Sequence, residues 1–159
     1  MYKKIYVTAQ SIAELDEQGS PAYTQSIGLL QQLIKAEVAD REVRSIKYQM
    51  KVARFPTYRD LGGFDFNESD INETLVRSLH CCEFMEPHQN VVLVGGPGTG
   101  KTHIATAIGV QAIQQHHKRV RFLSTIELVN LLEKEKSEGK QGRMANRLMY
   151  SDLVILDEL

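Results

Sequence analysis

From about Ala22 to Arg54, apolar residues return at three- and four-residue steps. Ile27, Leu30, Ile34 and Val38 begin the stripe and Ile46, Met50 and Ala53 resume it, the period of a long amphipathic helix. Pro56 disfavours helix at Phe55 and sets the stop. Ahead of this helix, Lys3–Val7 suits the start of a strand or a helix equally, and Gly19-Ser20-Pro21 reads as a break. Leu61–Phe66 is a turn carrying two aromatics. Asn67 with Asp70 resembles a helix start, and Ile71, Leu75, Leu79 and Cys82 mark one face of a helix ending before Pro87. Val91–Val94 is a short apolar, β-branched run, as expected of a strand buried on both faces of a parallel sheet. A helix from Lys101 to about His117 and a strand at Val120–Leu123 follow. Ser124 and Glu127 form a capping box for a helix over Ile126–Lys136. A polar loop at Ser137–Gly142, a short helix at Arg143–Tyr150 and a strand at Leu153–Leu156 complete the chain. The β-α-β-α-α-β alternation predicts a three-layer α/β sandwich with a parallel sheet over residues 57–159, preceded by a helical arm over 1–56.

Candidate chemistry sits at the carboxyl ends of two of these strands. Gly95-Gly96-Pro97-Gly98-Thr99-Gly100-Lys101-Thr102 is a complete G-x-x-x-x-G-K-[ST] loop. Its glycines allow a tight turn that aims backbone N–H groups at phosphate oxygens, and the helix beginning at Lys101 adds its positive end. Lys101 is placed to reach the β- and γ-phosphates, the Thr102 hydroxyl to coordinate Mg²⁺, and His103 to lie near the nucleotide or simply to pack. The last strand delivers Asp157 and Glu158 roughly fifty-five residues downstream. An aspartate there can hold Mg²⁺ and an adjacent glutamate can polarise the attacking water. The acidic pair favours an ATPase over a nucleotide kinase or a Ras-like GTPase, and no Asn-Lys-x-Asp guanine-reading element occurs.

Composition changes little. The chain is 42% hydrophobic and 25% charged with a formal net charge of −1, so overall charge does not advertise nucleic acid. No apolar stretch reaches the length of a membrane span and no signal-peptide pattern opens the chain, which leaves the cytoplasm as the default compartment. Cys81 and Cys82, being adjacent, make a poor cross-link and read as two small buried residues on a helix. Local charge is more informative. Arg44, Lys47, Lys51 and Arg54 fall on one helical face, which suits a phosphate backbone but also the solvated side of an amphipathic helix.

Taken together, these residues resemble the IstB-like family, the ATP-binding helpers of bacterial insertion sequences. These are AAA+ ATPases similar to DnaC-type replicative helicase loaders. The resemblance runs from about Gln25 to the end. It is carried by Ala53-Arg54-Phe55-Pro56, Gly63-Phe64-Asp65-Phe66, the loop from Gly95 to His103, Val120-Arg121-Phe122 with Glu127-Leu128-Val129, and Leu156-Asp157-Glu158-Leu159. It implies ATP and Mg²⁺ as cofactors, a nucleotide-binding loop at Gly95–His103 with Lys101 and Thr102, a Mg²⁺ aspartate at Asp157 and a catalytic glutamate at Glu158. It also implies a self-oligomer on duplex DNA that assists a cognate transposase, with the basic helix in the DNA-binding region.

The family continues well beyond the acidic pair, through a polar sensor residue, an arginine finger and the two strands that flank the phosphate-loop strand. The resemblance therefore implies that Val91–Val94 lacks its native neighbours here and that these 159 residues hydrolyse ATP negligibly. Three other readings stay open at this level: a helicase-loader-like protein, a non-catalytic module that binds DNA or full-length siblings, and a remnant without function.

Overall fold

The computed structural model of the chain describes residues 11, 13, 14, 21–69 and 71–158. The expectations for Lys3–Val7, for Gly19-Ser20 and for Asp70 lie outside these residues. The chain divides into two compact units, Met1–Arg44 and Ser45–Leu159, so the arm boundary expected at residue 56 falls within the second. Helix α1 (Pro21–Ala53) runs through the division, as its apolar period predicts.

In the first unit Leu30, Ile34 and Val38 are exposed. Ion pairs along the helix support it there: Arg44 meets Asp40, one turn back, at 2.7 Å and Glu37, two turns back, at 3.3 Å. An i,i+4 pair such as Arg44–Asp40 stabilises a helix by only about 0.2–0.5 kcal/mol.

The second unit is built around a buried helix. After the last turns of α1 come α2 (Glu73–His80), α3 (Lys101–Gln114), β1 (Val120–Ser124), α4 (Thr125–Ser137), α5 (Arg143–Met149) and β2 (Leu153–Asp157). Strands β1 and β2 pair in parallel, from Val120 opposite Leu153 to Ser124 opposite Asp157. A parallel pair needs a crossover, and α4 with α5 supplies it. Ile104, Ala107, Ile108, Ala112 and Ile113 of α3 are buried, and the end of α1 joins the same core through Ile46, Met50 and Ala53. Gly109 admits a close approach: a Cβ there would lie 2.7 Å from the Phe55 ring and 2.9 Å from Ile155 Cδ1. Helix α1 stops at Arg54, whose φ of 60° is the left-handed turn common after a helix. Arg121 Nη1 caps it by donating to the Val52 carbonyl at 2.6 Å.

At α4 the Ser124 half of the expected capping box forms, its hydroxyl accepting from the Glu127 N–H at 3.1 Å, while the Glu127 carboxylate meets Arg54 at 3.4 Å. Three expectations require correction. Val91–Val94 joins no ladder among the described residues, and Val92 and Val94 are 75% and 91% exposed rather than buried on both faces. A strand alone cannot satisfy its backbone groups, so this stretch is left to water while Leu93 packs on the core. Helix α2 starts later than Asn67 suggests. Its N-cap is Asn72, whose Oδ1 accepts from Leu75 N at 3.0 Å, while Asn67 closes a tight turn onto Asp65. The face it buries is centred on Val76, and Leu75 is exposed. Finally, Cys81 and Cys82 follow the helix rather than lying on it. Cys81 is exposed, whereas Cys82 is buried in a left-handed turn, and burial above all pushes its thiol up to about 11. A thiol held protonated in this way is a packing group.

Candidate nucleotide site

The loop between Leu93 and α3 folds back on its own lysine. Lys101 Nζ donates to the carbonyls of Gly95 at 2.8 Å and Gly96 at 2.6 Å, and lies 3.4 Å from Thr99 Oγ1. The Thr99 hydroxyl also donates to the Gly96 carbonyl at 2.9 Å. Gly98 and Gly100 take φ of 76° and 83°, left-handed values that side-chain-bearing residues adopt at a cost. Gly100 carries a second constraint, because a Cβ there would sit 2.4 Å from Phe64 Cε2.

One residue past the lysine, the Thr102 hydroxyl meets both carboxylate oxygens of Asp157, at 2.9 and 3.2 Å. This contact joins the start of α3 to the end of β2, two positions 55 residues apart in the chain. Asp157 is held in turn by the strand register opposite Ser124 and by Thr125, whose hydroxyl donates to the Asp157 carbonyl at 3.1 Å. Glu158 follows with φ of 61°, exposed, where the chain turns out of the sheet. A hydroxyl and a carboxylate side by side form an all-oxygen donor set, the kind that suits a hard divalent cation.

His103 is engaged by the turn before α2 and lies at the edge of the space beside the loop. Its Nε2 lies 2.8 Å from the Asp60 carbonyl and its ring stands edge-on to Phe64, with centroids 5.3 Å apart. Beside the loop opens a cleft of about 860 Å³, within the usual range for a small-molecule site. One wall is the phosphate loop itself, and the other comes from Gly63–Asp65 and α2, including Leu75 and Leu79.

The structure thus brings together Gly95 to Thr102 and Asp157, with Glu158 alongside. The basic residues of α1 stand apart from this site in their surroundings. Lys47 and Lys51 are exposed, Arg44 is engaged by Asp40 and Glu37, and Arg54 lies 3.4 Å from Glu127. Thr125, Asp60 and Phe64 were not singled out in sequence as parts of the site. Their contacts span 32, 43 and comparable separations along the chain, and no local spacing rule reports these. Two further arginines, Arg121 and Arg147, line a cleft of about 180 Å³ with Arg54.

Comparison with known proteins identifies the family. A family model described as IstB-like ATP binding protein matches residues 4–159. Among similar proteins, one from Pseudomonas aeruginosa, described as an ATP-binding protein of insertion sequence IS21, is 38% identical over 127 residues, 79% of this chain. Another from Geobacillus stearothermophilus, named for insertion sequence IS5376, is 31% identical over 80% of the chain. A third from Bacillus thuringiensis subsp. berliner, named for IS232, is 28% identical over 99%. The matched segments cover 48%, 51% and 63% of these relatives, so the chain spans roughly half to three-fifths of their length. With its loop, its Thr102–Asp157 contact and a match along nearly its whole length, the chain belongs to the family of IstB-like ATP-binding proteins.

Proposed function

We propose that this chain is the nucleotide-binding part of a transposition-helper ATPase. It binds ATP through the loop from Gly95 to Thr102, and in the intact protein it works on duplex DNA as a self-oligomer beside a cognate transposase. The observation that carries the reading is the Thr102–Asp157 contact, which unites two motifs distant in sequence at the mouth of the loop. The loop N–H groups and Lys101 bind the phosphates. Thr102 and Asp157 hold Mg²⁺, which when bound offsets phosphate charge. Glu158 orients and polarises the attacking water. That the relatives are described as insertion-sequence proteins favours a transposase partner over the replicative helicase of a loader.

Titration with a fluorescent ATP analogue in the presence of Mg²⁺ tests the reading. A charge-assisted contact to phosphate is worth roughly 1.5–3 kcal/mol, so Lys101→Ala should weaken binding about ten- to hundredfold. Equal binding by the wild type and Lys101→Ala would refute it.

The DNA component rests on exposed Lys47 and Lys51, with Arg54, its charge shared with Glu127, and Arg147 adding positive charge beyond the end of α1. Arg44 contributes less, its charge being shared with Asp40 and Glu37.

A further inference from the structure

His103 lies three residues after Gly100, so both face the same side of the first turn of α3. A carbonyl only accepts, so the 2.8 Å contact with Asp60 O requires a proton on His103 Nε2. The turn it grips is stiff. Asp60 Oδ1 accepts from Gly63 N at 3.0 Å, Phe64 N donates to Leu61 O at 3.2 Å, and Leu61 is buried. At its far end Phe64 stands edge-on to Phe66, with centroids 4.8 Å apart, and Arg77 lies 5.5 Å from the Phe66 ring centroid.

Phe64 is the link to the loop. Its ring touches His103 on one side and covers Gly100 so closely that a Cβ on that glycine would lie 2.4 Å away. Gly100 is the hinge between loop and helix, and its φ of 83° sets where the last loop N–H groups point. On the strand side Leu93 packs on the core but no ladder bonds hold the chain, since Val91–Val94 has no ladder partner among the described residues.

We infer that His103 is a positioning residue: it pins the Asp60–Phe66 turn to α3 so that Phe64 fixes Gly100, and through it the shape of the loop that receives a nucleoside triphosphate. The inference rests on the nucleotide-binding reading above.

The test is a double-mutant cycle on the whole chain, with Kd for Mg-ATP measured at a temperature where circular dichroism shows each variant folded. His103→Ala should weaken binding about tenfold, the equivalent of ~1.4 kcal/mol. His103→Gln, whose amide N–H can still donate to Asp60 O, should recover most of that loss. In a Phe64→Leu background, His103→Ala should cost less than about twofold, because the two residues act in series. A role in stability alone would lower Tm without nucleotide but leave Kd and the cycle flat, and that result overturns the inference. So does full additivity. If the wild type fails to bind Mg-ATP, the nucleotide reading fails, and amide hydrogen exchange on the nucleotide-free chain decides the latch separately. His103→Ala should then speed exchange at both 60–66 and 96–101, and unchanged exchange in the loop would reject the latch.

Discussion

At the scale of single residues, a four-bond polar arrangement lies away from the loop. Arg119 and Asp152 form a bidentate clamp at the entrance to the strand pair, with Nε to Oδ2 at 3.0 Å and Nη2 to Oδ1 at 2.9 Å. Backbone bonds reinforce it, Arg119 N donating to Asp152 Oδ2 at 2.7 Å and Asp152 N to Arg119 O at 2.8 Å. The Arg119 guanidinium, bonded directly to the carboxylate, holds Asp152 down at about 2 from its ordinary 3.8. A depressed carboxylate pKa contributes stability that is complete above the ordinary value and disappears as pH falls toward the folded one. The pair therefore supports the fold above 3.8 and loses its effect between 3.8 and about 2. In thermal melts from neutral pH down through that range, Asp152→Asn should lower Tm at neutral pH and should flatten the acid limb. Because both side chains are partly solvated, the difference should shrink in high salt. The clamp was invisible in sequence, where Arg119 and Asp152 sit in two unremarkable polar stretches. The turn of the Gly95–Thr102 loop was legible because its backbone demands are local: glycines at 98 and 100 where φ is positive, then a lysine and a threonine on the first helical turn. Gly100 illustrates the limit, since spacing reports the turn it makes but not the Phe64 ring that lies on it.

At the scale of elements, the strand pair and α3 account for how the loop meets Asp157. In-register pairing of β1 with β2 places Asp157 opposite Ser124, next to the Thr125 that braces it, while α3 packs along the pair. Gly109 sets how closely they approach. Gly109→Ala would gain about 1 kcal/mol of helix propensity but would press on Phe55 and Ile155 in a packed core, at a cost of roughly 1–3 kcal/mol. A net destabilisation of about 1 kcal/mol is expected in urea unfolding. Helices with capped ends and clear stripes were readable, as α4 and its Ser124 cap show. Val91–Val94 was not, because a β-branched run states a preference for a strand while only a neighbour makes one. Helix α1 carries the DNA prediction at this scale. Lys47→Ala and Lys51→Ala should each reduce the slope of log affinity for duplex DNA against log salt by about 0.9, uniformly across sequences.

At the scale of the whole molecule, the exposed Val91–Val94 stretch decides what the chain can do alone. The loop is held from the α3 side by Phe64 and His103 and by its own lysine, but without a ladder behind it. Binding needs only the phosphate cradle, whereas hydrolysis needs water, metal and phosphate fixed together to within a fraction of an ångström. These residues should accordingly bind Mg-ATP while turning it over negligibly, which a phosphate-release assay would check against Glu158→Gln. The family was legible from ordered motifs from about Gln25 onward, and the match, over residues 4–159, reaches further toward the start of the chain than those motifs do. The central claim, that the Gly95–Thr102 loop with Asp157 is a nucleotide site, is tested most directly by thermal melting with and without Mg-ATP. At a hundredfold excess over Kd, the wild type should gain about 2.7 kcal/mol of stability, and Lys101→Ala and Asp157→Asn should gain far less. A wild-type melt that Mg-ATP leaves unmoved, or an equal gain in all three proteins, would contradict it.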